Sequence, residues 1–291
     1  MPGVAFATYR ESPRLTDDDQ LVADVLGQRG VDVWPVVWDA ADVDWDRFDR
    51  VIIRSTWDFH LEPEVYERWI RGFLRRPARL WNPPAVVLAN LNKRYLIDLA
   101  RQGVQVVPTV HVAAGGEQSL PSIIAGQGWA EVVIKPAVSA SARGTWRSSA
   151  AAAGADADAF ARQCRAQDML VQLYCEEIAS EGEWSIVFFD GEYSHAVLKT
   201  PASGDFRVQR HFGGTPVAAA PAPRVIEQAS SILARIEGRL LYARVDGIER
   251  NGTFVLMELE LNEPFLFLSL SDGAAVRFAD AIARILEDPP A

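Results

Sequence analysis

The chain has 291 residues, enough for about two ordinary domains, and a composition of 49% hydrophobic and 23% charged residues excludes a wholly disordered polypeptide. Lys and Arg number 29 against 39 Asp and Glu, a formal charge of −10 with no basic run, which argues against nucleic acid as a partner. No stretch reaches the ~18 apolar residues that span a bilayer, and residues 1–5 lack a basic or apolar leader, so the expectation is a cytoplasmic protein without a membrane partner.

In chain order, residues 4–7 read as a strand, and Thr16 followed by Asp17, Asp18 and Asp19 reads as a helix N-cap with acidic residues suited to the helix dipole. That helix should end near Arg29 at Gly30. Strands are expected at 31–37 and 51–53, and a helix from Pro63 to Leu74. Alternating strands and helices predict the α/β class with a parallel, doubly wound sheet. Asn82, Pro83 and Pro84 mark the first boundary, since consecutive prolines favour extended backbone.

Beyond it the pattern predicts a helix at 92–102, strands at 104–110 and 131–135, and an Ala-rich helix before Cys164. The small, polar stretch 139–149 reads as a mobile loop and not a strand. A strand at 169–174 precedes a hairpin of 184–189 and 193–199, turned at Asp190 and Gly191. Residues 201–223 read as irregular, 225–236 as helix, 242–249 and 253–260 as a second hairpin turned at Asn251 and Gly252, and 271–286 as an amphipathic helix. Cys164 and Cys175 lack partners at metal-site spacing and read as buried thiols.

Three groups of residues bear chemistry. Period-two alternation puts Glu258 and Glu260 on one strand face, and the antiparallel partner brings Asp246 opposite them. Such carboxylates either hold a hard cation such as Mg²⁺ or form an outward acidic face beside Arg244 and Arg250. Lys135 ends an apolar strand before Pro136, and Lys93 sits at a helix start; each reads as a phosphate partner or as a solvated lysine. Arg54, Ser55, Thr56, Trp57 and Asp58 follow the third strand, at the carboxyl end where open α/β sheets bind ligands. There Arg54 can clamp a carboxylate and Asp58 an amino group of a small amino-acid-like substrate, or Trp57 and Phe59 simply pack.

The order of these features, with the segment 171–175, an acidic residue before a strand and an arginine followed by a glycine pair, resembles the ATP-grasp ligases, in particular the branch of glutathione synthetase and the ribosomal-protein glutamate ligase. The resemblance implies an ATP-grasp fold with an N-terminal α/β domain (1–82), a central subdomain with a lid loop (83–172) and a C-terminal subdomain with a metal-binding hairpin (173–291). It implies Lys93 and Lys135 on the ATP phosphates, 139–146 as the lid with Ser139 and Ser141 against them, and Gln172, Leu173, Tyr174 and Cys175 as the hinge for adenine. Glu183 then meets the ribose, Arg207 the transferred phosphoryl group and the substrate, and Asp246, Glu258 and Glu260 hold two Mg²⁺ ions.

The sequence departs from the family pattern in three places, one of them Glu260, which stands where the glutathione synthetase pattern has asparagine and adds a negative charge that two Mg²⁺ ions can accommodate. Gly144 is alone in a lid that is usually richer in glycine, and Ser185 stands where a second basic residue is expected, leaving Arg210 or Arg244 to supply that charge. The implied reaction is an ATP-dependent ligation of a carboxylate to nitrogen through an acylphosphate, with Arg207, Arg244 and Lys135 as catalytic groups. The segment 54–58, with Asn92, Lys93 and the Glu258, Glu260 pair, is most similar to the branch containing the D-cycloserine-forming ligase, an antibiotic-biosynthetic cyclase acting on O-ureido-D-serine or a related aminooxy amino acid. Intermolecular amide ligation, a non-ligating kinase and a nucleotide-binding module without ligation stay open, as does the oligomeric state, a homo-oligomer included.

Overall fold

The computed structural model describes residues 3–202, 204–209 and 212–288; Arg210 lies outside the described residues. The first sheet is parallel and four-stranded, in the order β2-β1-β3-β4, built from β1 (Gly3–Thr8), β2 (Asp32–Val37), β3 (Arg50–Ile53) and β4 (Leu80–Trp81). Side chains alternate across it. Val4, Phe6 and Ile52 pack with α1 (Asp17–Gln28) and with the last helix, α9 (Ala274–Glu287), while Ala5, Ala7, Val51 and Ile53 pack with α2 (Pro63–Arg71) and α3 (Pro84–Asn90). Both faces are therefore covered by helices, which is why the strands carry continuous apolar runs. Thr16 caps α1 as its sequence predicts, its hydroxyl accepting from the Asp19 amide at 3.1 Å.

The second sheet is antiparallel, β5-β8-β6-β7, from β5 (Thr109–Val112), β6 (Glu131–Pro136), β7 (Trp146–Ser149) and β8 (Met169–Leu173). On one face lie α5 (Leu120–Gln127) and α6 (Ala153–Ala166), around Phe160. The third sheet, β11-β10-β9-β12-β13, contains both predicted hairpins: β9 (Glu183–Phe189) with β10 (Glu192–Thr200), and β12 (Tyr242–Arg250) with β13 (Thr253–Glu260). The edge strand β11 (Thr215–Ala218) and the helix α8 (Pro223–Leu233) complete it, with α4 (Tyr95–Arg101) packed on the same core and the one-turn α7 (Glu177–Ser180) beside β12. Among the described residues no helix is long and apolar enough to cross a membrane.

Several expectations need correction. Residues 146–149 form a strand, because an edge position on β6 needs only backbone pairing and Trp146 packs on the core beneath. The strand expected at 104–110 begins at Thr109; before it the chain merely bridges Val106 to Leu256. The helix expected from Asn92 starts at Tyr95, since the Asn92 side chain accepts from the Arg94 amide at 2.9 Å and holds a turn there. The proline pair opens a helix directly, with Pro84 at its first position, and the irregular 201–223 stretch contains β11.

Asn82 ties the sheets together. Fully buried, its amide donates to the Leu261 and Tyr242 carbonyls at 2.7 and 2.9 Å and its oxygen accepts from the Leu241 amide at 2.7 Å. An Asn82→Ala substitution leaves these backbone groups buried and unpaired. At about 1–3 kcal/mol for an orphaned buried group, we expect a loss of about 2–4 kcal/mol in stability, read from the urea midpoint at unchanged slope; an unshifted midpoint would show that water replaces the side chain.

Candidate active site

A cavity of about 480 Å³ opens between the second and third sheets and reaches the segment after β3. Its floor is a row of charged side chains on one face of the third sheet. The register pairs Asp246 with Glu258, Arg244 with Glu260, Asp246 with Ser185 and Lys199 with Glu183. A bulge between Asp246 and Gly247 shifts the register by one residue, and only glycine fits there: a Cβ on Gly247 would lie 2.4 Å from the Val255 carbonyl.

Asp246 is the hub of this row and only 2% exposed. It accepts from the Ser185 hydroxyl at 2.6 Å, from Arg244 Nε and Nη2 at 3.0 and 2.8 Å, and from Lys199 Nζ at 3.3 Å. Burial opposes its ionisation, but Arg244 and Lys199 outweigh that and hold its pKa at about 2. Lys199 also donates to Glu183 at 2.6 Å. Burial pushes the Glu183 carboxyl up, partly offset by that ammonium. Arg244 further contacts Glu260 and donates to the Phe265 carbonyl at 2.9 Å.

Glu258 lies between the two predicted phosphate lysines, one oxygen 3.3 Å from Lys93 Nζ and the other 3.8 Å from Lys135 Nζ. Burial disfavours its charge, yet these ammonium groups hold it below the usual carboxylate range. Burial lowers Lys135 in turn, against the pull of Glu258. Lys93 is anchored by the Ser139 carbonyl at 2.6 Å, and Ser139 Oγ donates to the Pro136 carbonyl at 3.1 Å. Glu260 is driven up to about 7 by burial and by Asp246 and Glu258, partly relieved by Arg244.

In the loop expected to be the lid, left-handed backbone falls on residues other than glycine: Ser141 and Ala142 sit at φ 54° and Gly144 at 71°. For the two L-residues this conformation costs roughly 1–2 kcal/mol each. At the hinge, Gln172, Leu173 and Cys175 line the cavity while Tyr174 turns away, its ring 4.0 Å from the Arg147 guanidinium. The amides of Leu173 and Tyr174 are engaged by the Pro108 and Glu131 carbonyls, at 2.9 and 3.1 Å, so neither is free to donate to a ligand. Both cysteines are buried free thiols, and burial raises Cys175 to about 11. Arg207 lines the cavity but donates to Asp205 at 2.8 Å and lies 3.5 Å from the Phe212 ring centre.

The predicted substrate segment falls elsewhere. Arg54, 3% exposed, donates to Asp19 at 2.8 Å and to the Pro264 carbonyl at 3.2 Å, so its guanidinium fastens the fold and does not face the cavity. Asp58 accepts from Trp38 at 2.8 Å, Thr56 is bonded to Tyr66 at 3.1 Å, and Ser55 is fully buried; none of the three lines the cavity. Only Trp57 does, with its indole donating to the Glu263 carbonyl at 3.1 Å.

Among the described residues no three His, Cys, Asp or Glu side chains converge as a ready metal cluster. The reason is electrostatic, since each predicted ligand is held on a cation of the chain. Asp246 has its lone pairs engaged by Arg244, Lys199 and Ser185. Glu258 and Glu260 face the cavity with flexible lysine and arginine partners, and as oxygen donors they suit Mg²⁺.

Sequence reasoning missed Lys199, which stands opposite Glu183 and brings an ammonium to Asp246, the carboxylate that Ser185 also contacts; its only signal was its place across the 190–191 turn. Asn262 and Glu263, beside Trp57 and Phe265, also line the cavity. Burial, then Glu260, raises Glu263 to about 8.

The fold and this floor define an ATP-grasp enzyme, an ATP-dependent ligase. The chain is 31% identical over 265 residues to the cycloserine biosynthesis protein DcsG of Streptomyces lavendulae, covering 86% of this chain and 87% of that one. The family model for the D-cycloserine synthetase DcsG N-terminal domain matches residues 4–82. The crystal structure of D-cycloserine synthetase DcsG superposes with a TM-score of 0.87 at 28% identity, over 98% of this chain and all of that one. A Bacillus anthracis D-alanine–D-alanine ligase complexed with ATP follows at 0.66 and 14%, over 98% and 95%. The chain belongs to the DcsG family.

Replacing Lys199 with Met removes the cation shared by Glu183 and Asp246. Breaking a buried pair costs about 3–5 kcal/mol, so chemical unfolding at pH 7 should show a loss of that order. Asp246 keeps Arg244, but Glu183 loses its cation and its native pKa rises further above its unfolded one, a deficit that protonation relieves. The gap to wild type should therefore shrink toward pH 5, and a constant gap would contradict the pairing.

Proposed function

We propose that the chain closes a ring on O-ureido-D-serine, or a related aminooxy amino acid, to give D-cycloserine at the expense of ATP. What supports ring closure is the match to DcsG along nearly the whole chain. What supports phosphoryl transfer is Glu258 held between Lys93 and Lys135 on the cavity floor.

In this reading the two lysines receive the ATP phosphates and the hinge receives adenine, with Glu183 beside the ribose. Glu258 and Glu260 hold Mg²⁺, which when bound screens phosphate charge and lowers the barrier to bringing two anions together. Asp246 keeps Arg244 and Lys199 in place at the floor. The substrate carboxylate attacks the γ-phosphorus and ADP leaves. The nitrogen on the side-chain oxygen then attacks the acyl carbon and phosphate departs, with Arg207 released from Asp205 to steady the developing oxyanion. With O-ureido-D-serine the carbamoyl group on that nitrogen must also leave, hydrolysed by water to carbon dioxide and ammonia to give D-cycloserine, whereas a free aminooxy amino acid needs no such step. The lid over Lys93 excludes the water that would hydrolyse the acylphosphate.

Intramolecular attack needs no second amine. With Mg²⁺, ATP and O-ureido-D-serine alone, mass spectrometry should find the cyclic product with ADP; a requirement for an added amine would replace cyclisation with intermolecular ligation. Lys135→Ala removes a charged phosphate partner worth about 1.5–3 kcal/mol, so calorimetry should show ATP affinity lower by roughly 10–100-fold. Unchanged affinity would take Lys135 out of the nucleotide site. Glu258→Gln and Glu260→Gln should each raise the Mg²⁺ concentration for half-maximal rate, and normal metal dependence in both would return them to a merely structural role.

A further inference from the structure

The segment after β13 is held to an unusual degree. Six consecutive backbone carbonyls, 261–266, each accept from a side chain elsewhere in the chain: Leu261 from Asn82 at 2.7 Å, Asn262 from Tyr242 at 2.7 Å and Glu263 from Trp57 at 3.1 Å. Pro264 accepts from Arg54 at 3.2 Å, Phe265 from Arg244 at 2.9 Å and Leu266 from His195 at 2.8 Å. Such a loop is fixed before any ligand arrives, which removes ordering cost from binding.

Two side-chain atoms on it have no hydrogen-bond partner among the described residues. Asn262 is 5% exposed and lines the cavity; its Oδ1 accepts from Tyr66 at 2.9 Å, which fixes the amide orientation, and its Nδ2 is buried with no acceptor. Glu263 Oε2 is likewise buried with no donor, and among the described residues no cation pairs with that carboxylate. A buried donor and a buried acceptor left unpaired in the lining of one cavity each carry a desolvation penalty that a ligand of opposite polarity would relieve. Trp57 and Phe265, with ring centres 6.3 Å apart, supply an apolar wall next to them.

We infer that Asn262 and Glu263 form the amino-acid subsite: the Asn262 amide donates to a substrate carboxylate oxygen, Glu263 accepts from the substrate α-ammonium, and Trp57 and Phe265 flank the short side chain. This rests on the ligase reading and refines it by moving substrate recognition from Arg54 and Asp58 to the loop that Arg54 fastens. Asn262 and Glu263 then set specificity for an amino acid with a free α-amino group. A substrate in which that nitrogen is acylated loses the charge that Glu263 reads.

The test is calorimetric binding of O-ureido-D-serine to the full chain saturated with Mg·AMPPNP, where no turnover occurs. Asn262→Asp keeps the acceptor for Tyr66 but replaces the donor with a carboxylate oxygen, and Glu263→Gln keeps shape and loses charge. Each should weaken the amino acid at least 10-fold with the AMPPNP affinity within twofold of wild type. The α-N-acetyl form should bind wild type at least 10-fold more weakly than the parent, and Glu263→Gln should discriminate between the two much less. Normal amino-acid binding by both variants would overturn the subsite and leave the ligase reading standing. Absence of amino-acid binding to wild type that still binds AMPPNP would overturn both.

Discussion

The interaction on which the site depends is the buried ionic row across β10, β9, β12 and β13. Lys199, Glu183, Asp246, Arg244, Glu260 and Glu258 lie on one sheet face, continued by Lys93 and Lys135 from the second sheet's side of the cavity. Charges of one sign could not be buried there, because an unpaired ion in such a place costs several kcal/mol. Alternation solves this, so every carboxylate has a cation within reach. The arrangement also brings four cations to a site whose proposed ligand, ATP, is a polyanion. Arriving phosphate oxygens would then compete with Glu258 for Lys93 and Lys135, and the Glu258 oxygens released would become available to Mg²⁺.

The folding pattern serves that row. Hairpin registers set which side chains stand opposite each other, and the bulge at Gly247 aligns Asp246 with Glu258. The parallel sheet contributes through its edges and loops: Asn82 and Arg54, both buried, reach across to the segment after β13. The C-terminal helix α9 joins the same assembly, packing Phe278 between the first sheet and the strand β9. In the loop that follows β6, Ser141 and Ala142 take up the left-handed backbone that is unfavourable for L-residues.

Much of this was legible in the sequence because it rests on local periodicity. Both hairpins follow from Asp190-Gly191 and Asn251-Gly252 between alternating runs, but the turn's own register would set Asp246 opposite Met257, and only the bulge before Gly247 brings it to Glu258. Lys135 at a strand end before proline was likewise visible. What was not legible depends on long-range partners. Arg54 looks like a ligand clamp from its position after β3, yet its partner Asp19 lies 35 residues away on α1 and Pro264 lies 210 away. Lys199 reaches Asp246, beside Ser185, only through strand pairing. The edge strands β7 and β11 were hidden since pairing on one side demands little of their side chains.

The central claim is that the substrate carboxylate is activated as an acylphosphate in this cavity. The most direct test is to supply O-ureido-D-serine with both carboxylate oxygens labelled with ¹⁸O, together with Mg²⁺ and unlabelled ATP, and to weigh the released phosphate. The account predicts phosphate carrying one labelled oxygen per turnover, with the other retained in the ring carbonyl. Unlabelled phosphate released alongside cyclic product would contradict it.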